Sequence, residues 1–525
     1  MNRPHVNVTD FLLDGKAPDR IALQLVDEQH SYGELQSTAG QVSRYLLQIA
    51  GEKGERVILA SDNSLFWVAA YLGTLWPGLV SIPLPPSIPP QEFQYILRAT
   101  GARIVFAQAG FARRNRGLLR DVHLVTDGEV SGLSEPASWR SFDDLRRHAH
   151  DAQQEPRTVK AEDLAALMFT SGSTGQPRGV MVSHGNIIAN TESIVQYLGL
   201  TENDRIMTVL PFHYCFGTSL LHTHLCVGGS LVIDSRFMYP DVVLRRMRET
   251  ECTGFAGVPS HFQILLRKSS LRKNSFPRLR YVQQAGGHLA PHFVRELREA
   301  LPNTQIFVMY GQTEATARLS YVPPELLEKK LGSIGKGIPG VKLCVLNESG
   351  EQVRAGEVGE IVAEGENIAR GYWGAPRESA ASFCNGRLYT GDLATVDEDG
   401  FIFIVDRAKD FMKCGGKRVS CRQLEERILE FEGLVEAAVI GVPDEVLGEA
   451  VKVFVVPRDV SCTELKKPLL QFCKECLPPQ LVPREIVVLQ RLPKNSSGKV
   501  LKQALRAGLN RTDGINVMEP ARPAS

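Results

Sequence analysis

Leu167-Met-Phe-Thr-Ser-Gly-Ser-Thr-Gly-Gln-Pro-Arg-Gly-Val-Met-Val-Ser183 is the stretch that decides how the rest of this sequence is read. Its hydrophobic lead-in, Ala165 to Phe169, predicts a buried strand running into a turn. The turn interleaves hydroxyls (Thr170, Ser171, Ser173, Thr174) with Gly172 and Gly175 and ends on a fixed cation, Arg178. Such a composition suits a phosphate cradle. Glycines let backbone N–H groups approach an anion, hydroxyls donate to its oxygens, and arginine adds a two-pronged positive charge. No Gly-Lys-Ser/Thr follows at Walker A spacing, so this is a different kind of loop. The bland alternative is a polar, Gly-rich surface turn.

Working outward, 525 residues exceed one ordinary core and predict two or more domains. Hydrophobic residues make up 43%, charged residues 23% and aromatic residues 7%, the proportions of a globular protein. Sixty basic residues against 59 acidic ones leave +1, which gives no electrostatic case for nucleic acid. Ten cysteines follow no disulfide framework, which predicts reduced thiols and a cytoplasmic setting. The first sixteen residues lack the apolar core of a signal peptide. Leu65 to Leu84 runs twenty residues without a charge, long enough to cross a bilayer. Gly73, Pro77-Gly78 and Pro83 interrupt it, so it reads as a buried helix, a turn and a buried strand, with no membrane span.

Short apolar strands alternate with amphipathic helices over roughly the first three hundred residues: Arg56–Ala60, Leu79–Leu84, Arg103–Ala107, Arg205–Leu210, Ser230–Ile233, Leu279–Gln284 and Gln305–Met309. That alternation predicts layered α/β subdomains with partly parallel sheets. From Lys342 the strands crowd together between glycine turns, which predicts a smaller β-rich region. A compact α/β pattern follows Asp406–Arg418. The expected organisation is a large N-terminal domain (1–406), a small mobile C-terminal α/β domain (407–510) and a disordered tail (511–525).

Three more stretches carry chemistry. Tyr310-Gly-Gln-Thr-Glu314 follows an apolar strand, the place where α/β proteins bind ligands. Its tyrosine can stack on a base and its glutamate can hold Mg²⁺ beside a phosphate. The pentapeptide also fits a plain strand exit with a capping Thr/Glu. Leu388-Tyr-Thr-Gly-Asp-Leu393 predicts Asp392 on a tight turn, able to accept two ribose hydroxyls or simply to close an Asx turn. Leu492-Pro-Lys-Asn-Ser-Ser-Gly-Lys499 is a Gly/Ser loop ending in a lysine that, on its own, reads as a solvated charge.

In this order the pieces resemble the adenylate-forming superfamily of acyl-CoA synthetases, nonribosomal-peptide adenylation domains and beetle luciferases. The resemblance runs from Pro18-Asp-Arg-Ile-Ala22 to Lys502. It includes Ser31-Tyr-Gly-Glu-Leu35, Gly356-Glu-Val-Gly-Glu360, Ala369-Arg-Gly-Tyr-Trp373 and Asp406-Arg-Ala-Lys-Asp410. It implies that a carboxylate attacks the α-phosphate of Mg·ATP, releasing pyrophosphate, and that a thiol then displaces AMP. By that resemblance Thr170–Arg178 holds the β- and γ-phosphates, and Glu314 with Thr170 holds Mg²⁺. Thr313 then donates to the α-phosphate. Tyr310 and the Gly286-Gly287-His288 backbone bracket adenine, Gln312 belongs to the nucleotide site, and Asp392 and Arg407 hold ribose. Lys499 bridges the carboxylate and α-phosphate, Lys409 is the hinge, and Lys413 with Gly415-Gly416 faces the thiol tunnel. The plain reading of Lys409 and Lys413 is a solvated linker.

Leu210-Pro-Phe-His-Tyr-Cys-Phe-Gly217 bears on the acid. Amino-acid-activating relatives carry aspartate where His213 stands, and an uncompensated ammonium there would be costly. The resemblance is therefore to ligases of acyl and aryl acids, although a packed core histidine is the alternative. Phe216, Val258 and Ala285 are read as apolar pocket walls, favouring a fatty or aromatic acid. The sequence departs from the family at Arg178 (usually lysine), Asp406 (usually glycine), Gln423 (often glutamate) and Asn495-Ser496 (usually a threonine region). Three decoys are set aside. Gly335-Lys-Gly-Ile-Pro-Gly340 precedes a strand instead of a helix, His222-Thr-His224-Leu-Cys226 reads as core, and Cys473/Cys476 is a lone pair. The leading expectation is an acyl-CoA synthetase using CoA. The alternatives are a ligase loading an acyl carrier protein and a non-catalytic nucleotide-binding module.

Overall fold

A computed structural model describes residues 6–131, 136–148, 157–171, 177–407, 411–414, 417–444, 447–458, 465–494 and 500–508. Gly172–Gln176, Lys409, Gly415-Gly416 and Asn495–Lys499 therefore lie outside the described residues, as does the C-terminal tail. The chain divides into two compact units, one running to Ile404 and one from Val405.

In the first unit, a seven-stranded sheet runs Ser138–Ser141, His123–Thr126, Ile104–Ala107, Arg56–Ala60, Val80–Leu84, Leu164–Ser171, Pro177–Ser183. Its inner strands are parallel and buried on both faces, which is why they read as unbroken apolar runs. The uncharged stretch resolves into the helix Leu65–Leu75, buried at every position, and the buried strand Val80–Leu84. Ser64 caps that helix by accepting from the Trp67 amide at 3.2 Å. Among the described residues no helix is long and apolar enough to cross a membrane. The opening motif is a hairpin: Leu164–Ser171 pairs antiparallel with Pro177–Ser183, placing Thr170 opposite Arg178.

A nine-stranded sheet carries the rest of the site. Its parallel centre runs Gln305–Tyr310, Tyr281–Gln284, Gly254–Gly257, Arg205–Thr208, Ser230–Ile233. Short antiparallel strands, Ser320–Val322 and Lys336–Gly337, extend it beyond Gln305–Tyr310. At the other edge lie Ile21–Gln24 and Gln29–Ser31, after which Ser31 caps the helix Tyr32–Ile49. The β-rich region is a five-stranded sheet of Val341–Leu346, Gly359–Gly365, Phe383–Cys384, Arg387–Val396 and Ile402–Arg407. Asp392 is not on a tight turn. It lies inside the ten-residue strand Arg387–Val396, where Gly391 at φ +73° opens a bulge against Gly359–Gly365. A glycine supplies that positive φ without strain, and the extra residue re-aims its neighbour's side chain.

The second unit is a sheet in the order Lys417–Ser420, Phe411–Cys414, Gly448–Pro457, Leu434–Asp444, with Glu485–Val488 parallel to Gly448–Pro457. Helix Cys421–Ile428 begins where the Ser420 hydroxyl accepts from the Gln423 amide, so Gln423 occupies an ordinary first-turn position. Glu425 takes the Val439 amide at 2.8 Å and pairs with Lys502 at 2.8 Å, tying helix to sheet and C-terminal segment.

Candidate active site

Four adjacent parallel strands deliver the site from their C-terminal ends. The strand ending at Thr208 leads to His213, Gly254–Gly257 leads to Val258, Tyr281–Gln284 leads to Ala285–His288, and Gln305–Tyr310 leads to Glu314. In a parallel sheet those ends share one edge, so residues up to a hundred positions apart in sequence converge.

The segment bearing His213 is clamped from the other sheet's domain side. Asn63 accepts from the Phe212 amide at 2.8 Å and donates to the Leu210 carbonyl at 2.9 Å. His213 itself is 7% exposed and its Nε2 has no partner among the described residues. Burial holds its pKa down to about 3, so the ring is neutral near pH 7. It can offer a hydrogen bond to a ligand but no fixed charge. Phe216, Val258 and Ala285 are buried in one apolar cluster with the core of the first unit. Gly286, at φ +81°, brings its backbone so close to Val258 that an added Cβ would lie 2.9 Å from Cγ1.

Tyr310 donates its hydroxyl to Asp392 Oδ2 at 2.6 Å, joining the nine-stranded sheet to the β-rich sheet. Gln284 Nε2 holds the Gly287 carbonyl at 2.8 Å, fixing the loop beside Tyr310. Thr313, Glu314 and Ala315 form a single 3₁₀ turn, and the Gln312 amide nitrogen beside it is buried without a partner among the described residues. The Thr313 hydroxyl lies 3.5 Å from Cys215 Sγ.

Glu314 is held by Tyr372, which in the sequence stands out only as one member of Ala369–Trp373. Tyr372 donates to Glu314 Oε1 at 2.9 Å, and the Arg178 guanidinium lies over the Tyr372 ring, 5.4 Å from its centroid. The segment around Tyr372 pairs with the far side of the hairpin: Trp373 donates to the Gly179 carbonyl at 2.7 Å and Met181 to that of Gly371 at 2.9 Å. This gives the arginine at position 178 a physical role that lysine fills less well, because a planar guanidinium stacks on an aromatic face. Glu314 and the Thr170 hydroxyl are hard oxygen donors of the type that suits Mg²⁺. Arg407 ends the strand Ile402–Arg407, and Lys413 is exposed in Phe411–Cys414 within the second unit.

The decoys resolve as core and turn. His224 Nδ1 donates to the Leu220 carbonyl at 2.9 Å and its Nε2 accepts from the Tyr281 hydroxyl at 2.8 Å, while His222 Nε2 meets the Tyr71 hydroxyl at 3.0 Å. No cluster of three metal-ligating side chains occurs among the described residues. Gly335–Gly340 leads into the strand Val341–Leu346.

A hairpin that sets Thr170 opposite a stacked Arg178, a carboxylate beside it and a Tyr–Asp pair at a parallel-sheet edge define a nucleotide-using α/β enzyme. Residues 14–373 match the family of AMP-binding enzymes, and residues 423–499 match the AMP-binding enzyme C-terminal domain. The first match alone spans more than half of the chain, and the protein belongs to this family. It is similar to the long-chain-fatty-acid–CoA ligase of Salmonella typhimurium (strain LT2), at 29% identity over 519 residues, covering 93% of this chain and 91% of the ligase. Among solved structures it is similar to the anthranilate CoA ligase AuaEII in complex with anthranoyl-AMP, with TM-score 0.85, 26% identity, and 96% and 97% of the two chains covered. It is also similar to the o-succinylbenzoate coenzyme A synthetase of Bacillus subtilis in complex with ATP and magnesium ion, with TM-score 0.81, 27% identity and 95% and 99% covered.

Proposed function

We propose that this protein activates a carboxylic acid with ATP, releasing pyrophosphate and forming an acyl-adenylate, and then transfers the acyl group to the thiol of CoA with release of AMP. The observation that carries this reading is the convergence in one unit of Tyr310–Glu314 and Asp392 with the Thr170/Arg178 hairpin, joined at Thr313 by Cys215 from the segment that bears His213. An anionic, charge-crowding displacement needs fixed donors and cations at the phosphates, and those groups supply them. The residue roles follow. Arg178 offsets the charge of the leaving pyrophosphate, the Thr170–Thr174 hydroxyls donate to its oxygens, and Thr313 donates at the α-phosphate. Tyr310 covers one face of adenine while its hydroxyl orients Asp392 toward ribose. Neutral His213 borders the acid carboxylate without trapping it as an ion pair. Mg²⁺, held by Glu314 with Thr170, would supply charge neutralisation at the phosphates when bound. Lys499, outside the described residues, would bridge the acid and α-phosphate, with Lys409 as hinge and Lys413 toward the thiol in a C-terminal domain that moves between the two steps. We place the reaction in the cytoplasm. CoA is favoured over a carrier protein, since the similar proteins are CoA ligases by name.

Two outcomes test the roles. Tyr310→Phe removes a hydrogen bond to a carboxylate, an interaction worth roughly 1.5–3 kcal/mol. It is expected to raise KM for ATP about tenfold or more while kcat changes less. Lys499→Ala is expected to abolish acid-dependent pyrophosphate exchange yet leave CoA thiolysis of supplied acyl-adenylate largely intact. Exchange at the wild-type rate in that variant would remove Lys499 from the first step.

A further inference from the structure

Arg318 lies four residues beyond Glu314 and is among the largest fully buried side chains, at 1% exposure. Buried arginines are normally paired with a carboxylate, because a desolvated cation without a counter-charge is costly. Among the described residues Arg318 has no acidic partner. Its neighbours are neutral: Nε donates to Met309 Sδ at 3.4 Å, the guanidinium lies 4.1 Å from the centre of the Phe216 ring, and Tyr197 offers its hydroxyl. One terminal nitrogen, Nη2, is buried with no hydrogen-bond partner among the described residues.

The chain is bent to put it there. Ala317 donates to the Ala315 carbonyl at 2.7 Å across Thr316, whose φ +65° and ψ −56° make a γ-turn of the rare, strained form. Asn190 and Asn367 then both hold the Arg318 carbonyl, at 3.1 and 2.9 Å. Phe216 is one of the residues read from the sequence as a wall of the acid pocket, and Met309 shares a sheet face with Phe307 by strand alternation. Gln283, directly opposite Phe307, lies on that same face; it is 0% exposed with both amide atoms unpartnered among the described residues. The reacting end is close in the chain: Phe216 adjoins Cys215, whose sulfur meets the Thr313 hydroxyl.

We propose that Arg318 sets the acid specificity by binding a second anionic group, a distal carboxylate, so that the substrate is a compact dicarboxylic acid with an apolar middle. This rests on the acid-activation reading above. One carboxylate meets ATP beside Thr313. The apolar body lies along Phe216, Val258 and Ala285. The other carboxylate supplies the counter-charge that the protein withholds from Arg318, with the Gln283 amide facing the same layer.

The test is pyrophosphate exchange by the wild-type enzyme with length-matched pairs of acids, aliphatic and aryl, that end in either a methyl group or a second carboxylate. The dicarboxylic member is expected to have a kcat/KM at least a hundredfold higher. In Arg318→Met that ratio is expected to collapse to near or below one, and in Arg318→Lys to recover in part. Thermal stabilisation of the wild type by the acids without ATP gives a reading independent of any variant, and the dicarboxylic acids are expected to stabilise more strongly. Exchange with methyl-terminated acids in preference to dicarboxylic ones overturns the role of Arg318 and leaves acid activation standing. A ratio unchanged in Arg318→Met does the same. Absence of exchange with every acid overturns the activation reading and this inference with it.

Discussion

Gly311→Ala is expected to lower acid-dependent pyrophosphate exchange more than a hundredfold. Gly311 sits between Tyr310 and Gln312, at the exit of a central strand. A Cβ placed on it would lie 2.0 Å from the Ala317 carbonyl oxygen and 2.8 Å from the Arg318 Cα. Both are backbone atoms of a loop already held by Asn190, Asn367 and the Thr316 γ-turn, so neither can swing aside as a side-chain tip would. The 310–314 segment must move instead, and it carries the Tyr310–Asp392 bond, Thr313 and Glu314 together. A displacement of about 1 Å in positioned groups is enough for a hundredfold loss of rate. Gly117→Ala is the matched control, because nothing lies within 4 Å of its Cβ position. Exchange kinetics and Tm of both variants decide the matter. Near-wild-type exchange in Gly311→Ala would mean that the loop yields more easily than its bonds imply.

Much of the architecture is legible in the sequence because the central strands are buried on both faces and therefore read as apolar runs. Ile104–Ala107 and Ser230–Ile233 are clear cases. The short edge strands are not legible. Gln29–Ser31 and Lys336–Gly337 are polar, two or three residues long, and exist because a neighbouring strand offers a hydrogen-bonding edge. Residue type alone picks out Asp392 but misplaces it, since a Gly-Asp pair announces a turn and a bulge equally well. Register with Gly359–Gly365 makes the choice. Tyr372 and Arg318 show a different limit. Tyr372 matters through Glu314, 58 residues away, and through Arg178 on the second strand of the hairpin. Arg318 reads as any charge after a motif. Its signal is faint but present: a single arginine in the otherwise uncharged run Ala315–Pro323, just where an apolar strand is due.

Mild acid is expected to unfold the first unit steeply between about pH 5.5 and pH 3.5. His184, His213, His222 and His224 are all buried, and burial holds their pKa values at about 4, 3, 3 and 4. In the unfolded chain each returns to about 6.5. The stability these neutral rings contribute is therefore fully present above pH 6.5. It is lost as pH falls toward the folded values, because the unfolded state then binds protons that the native state refuses. Each costs about 1.4 kcal/mol per pH unit in that window, and four together about 5 kcal/mol per unit. Against a typical domain stability of about 5–15 kcal/mol, one to three pH units suffice. Paired carboxylates such as Asp234 and Glu296, held below their ordinary values by arginine, add to the loss only at lower pH. Far-UV circular dichroism against pH, with calorimetric measurement of proton uptake, checks this: about four protons per molecule should be taken up on unfolding near pH 5. His222→Phe, which loses only the bond to Tyr71, should lower that uptake by about one and flatten the acid dependence accordingly. Stability unchanged from pH 7 to pH 4.5 would mean that these rings take up protons in the native state as readily as in the unfolded one, and His213 would then become charged in mild acid instead of staying neutral.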